Sequence, residues 1–184
     1  MYTWHFTFDG RPAVRDLAAR YQARLSGLSG LDFVPARWLH LTTQGVGFTD
    51  EVSEPDIEAI VSAARSRLAA VPPVRVTLGP ARVTPEAILL DVSPAGELAA
   101  VRAGLRWAIG DVWSAGQIPD HEEWTPHVSV AYSRSTAPAG PYISALAEDG
   151  DRAESVISDV ELIILGRDEH LYEWTTRADI RLSY

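Results

Sequence analysis

Two short segments of the chain each place a hydroxyl residue two positions after a histidine. His40 and Thr42 form the first pair, and His127 and Ser129 form the second. Because side chains alternate along a β-strand, the two members of a pair project from the same face, roughly 6–7 Å apart. One imidazole can accept a proton while the other donates one, and the hydroxyls can donate to phosphoryl oxygens. The spacing therefore predicts acid–base chemistry on a phosphate held between two histidines.

A third histidine has the same spacing and competes for a place in this site. His5 precedes Thr7 in an alternating segment near the start of the chain. His40 and His127 are the preferred pair because they lie about half a chain length apart in similar strand contexts, as an internal repeat would place them. His5 lacks a counterpart at that interval, near Val92. Two alternatives stay open for His5: it lines the same cleft from a neighbouring strand, or it is an ordinary exposed strand histidine.

The other histidines and two tryptophans carry weaker predictions. His121 and His170 are predicted to lie in loops, and the run from His121 to Glu123 matches no established metal-ligand spacing. We therefore predict no metal and no cofactor. Trp107 and Trp124 either stack on a nucleobase at the rim of the site or are buried in the core.

The composition excludes several classes of function. A formal net charge of −9 and a pI near 4.9 disfavour a long duplex footprint, because nucleic-acid affinity depends on neutralising phosphates. All 16 basic residues are arginine, which excludes a lysine nucleophile, and the absence of cysteine excludes disulfides and thiolate metal sites. No apolar run approaches the roughly 20 residues that span a bilayer. We predict a cytoplasmic monomer without a membrane or duplex DNA partner.

The elements that must position these residues follow from apolar periodicity and turn signals. Strands are predicted at 2–8, at the 38–42 segment, at 74–78 and 87–92, at the 126–130 segment, and at 156–165 and 171–183. Helices are predicted from Pro12 to about residue 25, from the Ser53 cap to about residue 71, from residue 93 to about 112, and at 142–147. Residues 166–170 are predicted to be a hairpin turn.

Strands interrupted by separate helices predict an α+β fold rather than a doubly wound parallel sheet. The 46% hydrophobic content of the 184 residues is sufficient for a substantial core. We see no disordered linker. The chain is therefore predicted to be one bilobal domain over 1–184, with lobes of roughly 1–92 and 93–184 that share a core and are related by a pseudo-two-fold.

The residues around both motifs resemble the 2H phosphoesterases, in particular the bacterial 2′-5′ RNA ligase-like branch. The resemblance covers nearly the whole chain and rests on two segments: His40-Leu41-Thr42 with Gly45 and Gly47, and Pro126-His127-Val128-Ser129-Val130-Ala131. It implies antiparallel sheets lining a central cleft with helices outside. It also implies metal-independent chemistry on 2′,3′-cyclic phosphates or 2′-5′ linkages, with His40 and His127 as acid and base and with Thr42 and Ser129 binding the phosphate.

The chain departs from the family pattern beside each motif. Tyr132 stands where many members carry arginine, and strand alternation predicts that it points away from His127, either into the core or, as the alternative, onto substrate. Arg134 is a candidate phosphate ligand or a solvated loop residue. Gln44 shares the face of the first motif and is a candidate substrate contact.

Three functions remain open from the sequence. The leading hypothesis is a phosphodiesterase that opens cyclic phosphates of RNA ends or nucleotides, or in reverse joins RNA ends through 2′-5′ bonds. The alternatives are a non-catalytic binder of a nucleotide or RNA end, and a phosphoesterase for a small non-RNA cyclic phosphate such as one derived from ADP-ribose. Which histidine is the base is left open, because the two have the same ordinary pKa.

Overall fold

A computed structural model describes residues 1–113, 118–119, 124–147, 150–166 and 171–183. The elements within these ranges are β1 (Tyr2–Thr7), α1 (Pro12–Leu25), β2 (Leu31–Phe33), β3 (His40–Gly47), α2 (Glu54–Leu68), β4 (Val74–Val83), β5 (Ala87–Ser93), α3 (Ala95–Gly110), β6 (His127–Ser133), α4 (Gly140–Leu146), β7 (Ala153–Ile157), β8 (Asp159–Gly166) and β9 (Glu173–Arg181). Among them, no helix has both the length and the apolar character that a membrane crossing requires.

The strands form two antiparallel sheets, and the predicted α+β class is confirmed. One sheet has four strands in the order β3-β1-β8-β9, and the other has five in the order β2-β6-β5-β4-β7. Each sheet takes strands from both sides of residue 92, so the sheets do not coincide with the sequence halves 1–92 and 93–184. One cluster of buried apolar side chains runs through both sheets and all four helices.

The helices form where capping and apolar spacing predict them. The Ser53 hydroxyl accepts the backbone N–H of Asp56 and caps α2. The buried stripe of α2 packs against α3, where Gly104 allows a close approach: a Cβ there would stand 2.8 Å from Leu68 Cδ2. The side chains that α2 and α3 bury are Ile57, Ile60, Val61, Ala64 and Leu68, with Leu98, Val101, Leu105, Ala108 and Ile109.

Two strand predictions need correction, and one short strand was missed. The strand of the first motif begins at His40, because Ala36–Trp38 forms a 3₁₀ turn just before it. The predicted strand 156–165 is broken at Ser158, and its two parts, β7 and β8, belong to different sheets. The short strand β2 was not predicted, because three residues show no period. The predicted turn at 166–170 lies mostly outside the described residues, as do His121 and His170.

Strand β1 differs from the half-buried strand that its alternation predicts. It lies between β3 and β8, and both of its faces are covered. The apolar face, with Trp4 and Phe6, enters the core, and the polar face, with Thr3 and His5, is also buried. These polar side chains of β1 are therefore buried beside the neighbouring strand β3, with His5 in register with Thr42.

Candidate active site

A cleft of about 1390 Å³ lies between β3 of the four-stranded sheet and β6 of the five-stranded sheet. Its lining includes His40 and Thr42 from β3 and His127 and Ser129 from β6. Each strand presents its pair on one face by simple alternation, as the motif spacing predicts. The structure therefore brings all four predicted site residues together in one cleft.

Both histidines are held by the backbone in the same way. Nδ1 of His40 is 2.8 Å from the carbonyl oxygen of Trp38, and Nδ1 of His127 is 2.8 Å from that of Thr125. A carbonyl oxygen can only accept, so each Nδ1 carries a hydrogen. When the ring is neutral, the lone pair is then on Nε2. Each ring thus leaves Nε2 as the nitrogen available to a ligand in the cleft.

The two histidines differ in their exposure. Only 8% of His40 is exposed, whereas His127 is half-buried. Burial lowers the pKa of His40; the hydrogen bond to the Trp38 carbonyl opposes this shift, and the nearby His127 reinforces it. His40 is accordingly neutral at neutral pH. A neutral imidazole with a free Nε2 is suited to accept a proton.

The third histidine is neither exposed nor on the cleft surface. His5 is fully buried, which overturns the prediction of an ordinary exposed strand histidine, and it does not line the cleft itself. Its ring stacks on His40 with centroids 4.5 Å apart and 2° between the planes. Its Nε2 is 3.2 Å from Oγ1 of Thr42, its register partner on β3. His5 thus contacts both members of the first motif from behind.

Aromatic side chains that the sequence patterns did not single out surround His40. The Trp174 ring lies edge-on to His40, with centroids 5.2 Å apart, and also contacts Trp38 at 4.6 Å. Tyr172 lies 6.1 Å from His40 and lines the cleft. Tyr172 and Trp174 stand on either side of Glu173, where β9 begins, and this alternation is the signal that could have identified them.

Tyr132 lies on the cleft side, so the prediction that it packs in the core on the face opposite His127 is wrong. The register between β5 and β6 shifts between Ile88 and Leu89, whose partners are Ala131 and Ser129. This bulge leaves an extra residue, Val130, in β6 and reverses the alternation after it. Tyr132 therefore lines the cleft and contacts the Tyr172 ring, with centroids 5.5 Å apart.

Gln44 and Arg134, the other two residues predicted near the motifs, both make contacts within the protein. Gln44 lines the cleft, and its side chain donates to the carbonyl oxygens of Gly45 and Pro119 and accepts from Arg106. Arg134 lines the cleft, is largely exposed, and pairs with Asp32 at 3.6 Å.

Trp124 and Trp107 lie in different parts of the molecule. Trp124 lines the cleft, donates its indole N–H to the Thr42 carbonyl oxygen at 3.0 Å, and lies under the Arg102 guanidinium. Trp107 is 62% exposed and lies at a separate depression beside Arg67 and Asp111. Of the two, Trp124 is the one placed to meet a ligand in the cleft.

A metal site was not predicted, and the described residues contain no group of three or more histidine, aspartate or glutamate side chains that could hold an ion. The discounted His121–Glu123 run lies outside them.

A two-sheet α+β fold with a histidine and a hydroxyl on each wall of one cleft defines the class of the 2H phosphoesterases. The chain belongs to the 2′-5′ RNA ligase superfamily, whose profile matches residues 11–169. The resemblance seen in the motifs is thus confirmed. The family and the fold support a phosphoesterase or ligase enzyme. No curated protein sequence matches the chain significantly.

Solved structures share the fold over nearly the full chain. TT0787 of Thermus thermophilus is 20% identical, with a TM-score of 0.71 over 98% of this chain and 97% of that one. E. coli LigT in complex with 3′-AMP is 17% identical, with a TM-score of 0.73 over 100% and 98%. The MHV ns2 PDE domain is 13% identical, with a TM-score of 0.59 over 90% and 98%.

Proposed function

We propose that the protein is a metal-independent phosphodiesterase that opens the 2′,3′-cyclic phosphate of RNA ends or nucleotides. The observation that carries the proposal is the matched anchoring of two imidazoles in one cleft. Each has Nδ1–H bound to the carbonyl oxygen two residues earlier, and each has a hydroxyl residue two positions later. Such an arrangement provides two proton-transfer groups and two phosphate donors without a further cofactor.

We assign the roles in hydrolysis from the difference in burial between the two histidines. Neutral His40 takes a proton from water at Nε2 as the water oxygen bonds to phosphorus. Protonated His127 gives its Nε2 proton to the ribose oxygen as the bond between that oxygen and phosphorus breaks. Thr42 and Ser129 donate to the non-bridging oxygens, where negative charge grows in the transition state. One proton enters and one leaves the histidine pair, so a proton exchange with solvent restores the enzyme.

Charge and the relatives support a nucleotide or a short RNA end as substrate. E. coli LigT, a structural neighbour, has been solved in complex with 3′-AMP, NADP⁺, ATP and phosphate. A net charge of −9 gives a long RNA little electrostatic attraction. Hydrolysis is favoured over 2′-5′ ligation for the same reason, because ligation must hold two RNA strands. A cytoplasmic location, a role in RNA processing and a monomeric state stay predictions.

The test is turnover of 2′,3′-cyclic nucleotides and short cyclic-phosphate-ended RNAs in EDTA. We expect turnover by the wild type and its loss in His40→Ala and in His127→Ala. Asp16→Asn, at an exposed position of α1 away from the cleft, is the matched control and should keep full activity. Wild-type binding without turnover would refute catalysis and favour the non-catalytic binder. Activity confined to a small non-RNA cyclic phosphate would refute the substrate class.

A further inference from the structure

His5 is a buried polar residue that the two-histidine mechanism does not use. It is on β1, directly opposite Thr42 in the register with β3, and none of it is exposed. Its Nε2 is 3.2 Å from Thr42 Oγ1, and its Nδ1 has no hydrogen-bond partner among the described residues. A buried imidazole with a single polar contact costs free energy, because its second nitrogen is desolvated without a compensating hydrogen bond.

The hydrogen bond between His5 and Thr42 has two possible directions. Burial, together with the neighbouring His40, lowers the pKa of His5 well below its ordinary value, so the ring is neutral and carries one hydrogen. With the hydrogen on Nδ1, a buried N–H is left without a partner, and the Thr42 hydroxyl must donate inward to Nε2. With the hydrogen on Nε2, the ring donates to Thr42 Oγ1, and the Thr42 proton is free for the cleft.

The second direction fits an anion site. An orphaned buried N–H is rarer in proteins than an under-satisfied acceptor. A hydroxyl that accepts from His5 also becomes a better donor to phosphate, because consecutive hydrogen bonds polarise one another. We propose that His5 is a positioning residue that donates Nε2–H to Thr42 and thereby directs the Thr42 hydroxyl proton toward a non-bridging oxygen of the substrate. This inference rests on the proposed function for the identity of the substrate.

Ser129, on strand β6 at the other side of the cleft, has no histidine as its register partner and therefore provides the control. Ser129 pairs in register with Leu89, an apolar residue whose side chain cannot form a hydrogen bond with the Ser129 hydroxyl. A change at His5 should therefore act through Thr42 and leave the contribution of Ser129 unaltered. Interaction between the changes can be measured by double-mutant cycles.

The first test reads the position of the hydrogen directly and does not depend on turnover. Nitrogen-15 NMR of the histidine rings should show the Nε2–H form for His5 and the Nδ1–H form for neutral His40. His5→Phe identifies the His5 signals by their disappearance. An Nδ1–H form at His5 would overturn the proposal, whatever the enzyme's substrate.

The second test is kinetic and uses the cyclic-phosphate substrate. His5→Phe keeps an aromatic ring against His40 but removes the donor, and we expect kcat to fall about ten-fold with KM nearly unchanged, less than the loss of an oxyanion donor itself. His5→Gln, which retains an N–H near the Nε2 position, should recover part of the loss. In the Thr42→Val background, His5→Phe should have little further effect, whereas in Ser129→Ala it should again cost about ten-fold.

The outcomes separate the two proposals. An equal loss from His5→Phe with and without Thr42 would show that His5 acts through packing on His40, and the proposal would fail. Thermal unfolding checks that each variant is folded, and His5→Leu replaces His5→Phe in the cycle if that variant is not. Absence of wild-type turnover would count against the proposed function, while the NMR result would still decide the direction of the hydrogen bond.

Discussion

The two walls of the cleft share one backbone design but surround their histidines differently. On the β3 wall, His40 is buried against His5, Trp174 and Tyr172. On the β6 wall, His127 is half-buried, and its register partner is Asp91, which is paired with Arg82. Burial disfavours the charged form of an imidazole, so His40 resists protonation. Under the proposed function, this difference in burial supports His40 as the base and His127 as the acid.

The largest effect should come from removing either histidine. His40→Ala or His127→Ala should each lower kcat by about 10²–10⁴-fold, the usual contribution of a positioned general acid or base. The double variant should be no worse than about the poorer single one, because the two groups act in one step. Steady-state kinetics on a 2′,3′-cyclic nucleotide measures this. Full activity in either single variant would show that the substituted histidine is not part of the mechanism.

The hydroxyls should contribute unequally. Thr42→Val and Ser129→Ala should each lower kcat by about 10–10³-fold, as the loss of a transition-state donor does. Thr42→Val should be the more damaging, because His5 holds Thr42 in place while the Ser129 hydroxyl must be ordered by the substrate. The same assay compares the two. A greater loss of kcat from Ser129→Ala would contradict this, and would show that the hydroxyl on β6 contributes more than the hydroxyl on β3.

Acid should lower the free energy of unfolding, because His5 and His40 resist protonation when they are buried in the folded protein. The folded-state pKa values of His5 and His40 are lowered by burial, so below pH about 6.5 the unfolded chain binds more protons than the folded one. This contribution to the free energy of unfolding is complete above pH about 6.5 and is lost as the pH falls toward the folded-state pKa values. Urea unfolding between pH 5 and 8 measures it. His5→Phe should show a smaller loss between those pH values; an unchanged pH dependence would contradict the buried environment.

The smallest effect should come from the contact that joins the walls. Tyr132 of the β6 wall touches Tyr172 beside His40. Tyr132→Ala should raise KM about two- to ten-fold with little change in kcat, since an aromatic pair contributes about 0.5–1.5 kcal/mol beyond its burial. Tyr142→Phe, which alters the outer part of the cleft lining while keeping the ring, serves as the comparison. A fall in kcat without a change in KM would place Tyr132 in the chemistry instead.

Local patterns predicted much of what the structure contains. Alternation put each histidine and its hydroxyl on one strand face, apolar spacing located α1, α2 and α3, and the strand and helix order indicated an α+β fold. These features depend on residues only a few positions apart, and the pleat or the helical turn repeats regularly over such distances. The boundary of β3 was less accurate, because a 3₁₀ turn at Ala36–Trp38 leaves no periodic signature.

The sequence by itself determined the candidates for the chemistry: two histidines, each with a hydroxyl residue at strand spacing, in a chain without lysine or cysteine. Only the tertiary structure decided the environment of each. In the folded protein, His5 is buried next to Thr42, and a bulge in β6 directs Tyr132 into the cleft. The amide of Gln44 donates to the carbonyl oxygen of Pro119. These outcomes depend on the pairing of strands far apart in the chain, and a one-residue shift in that pairing reverses the direction of a side chain.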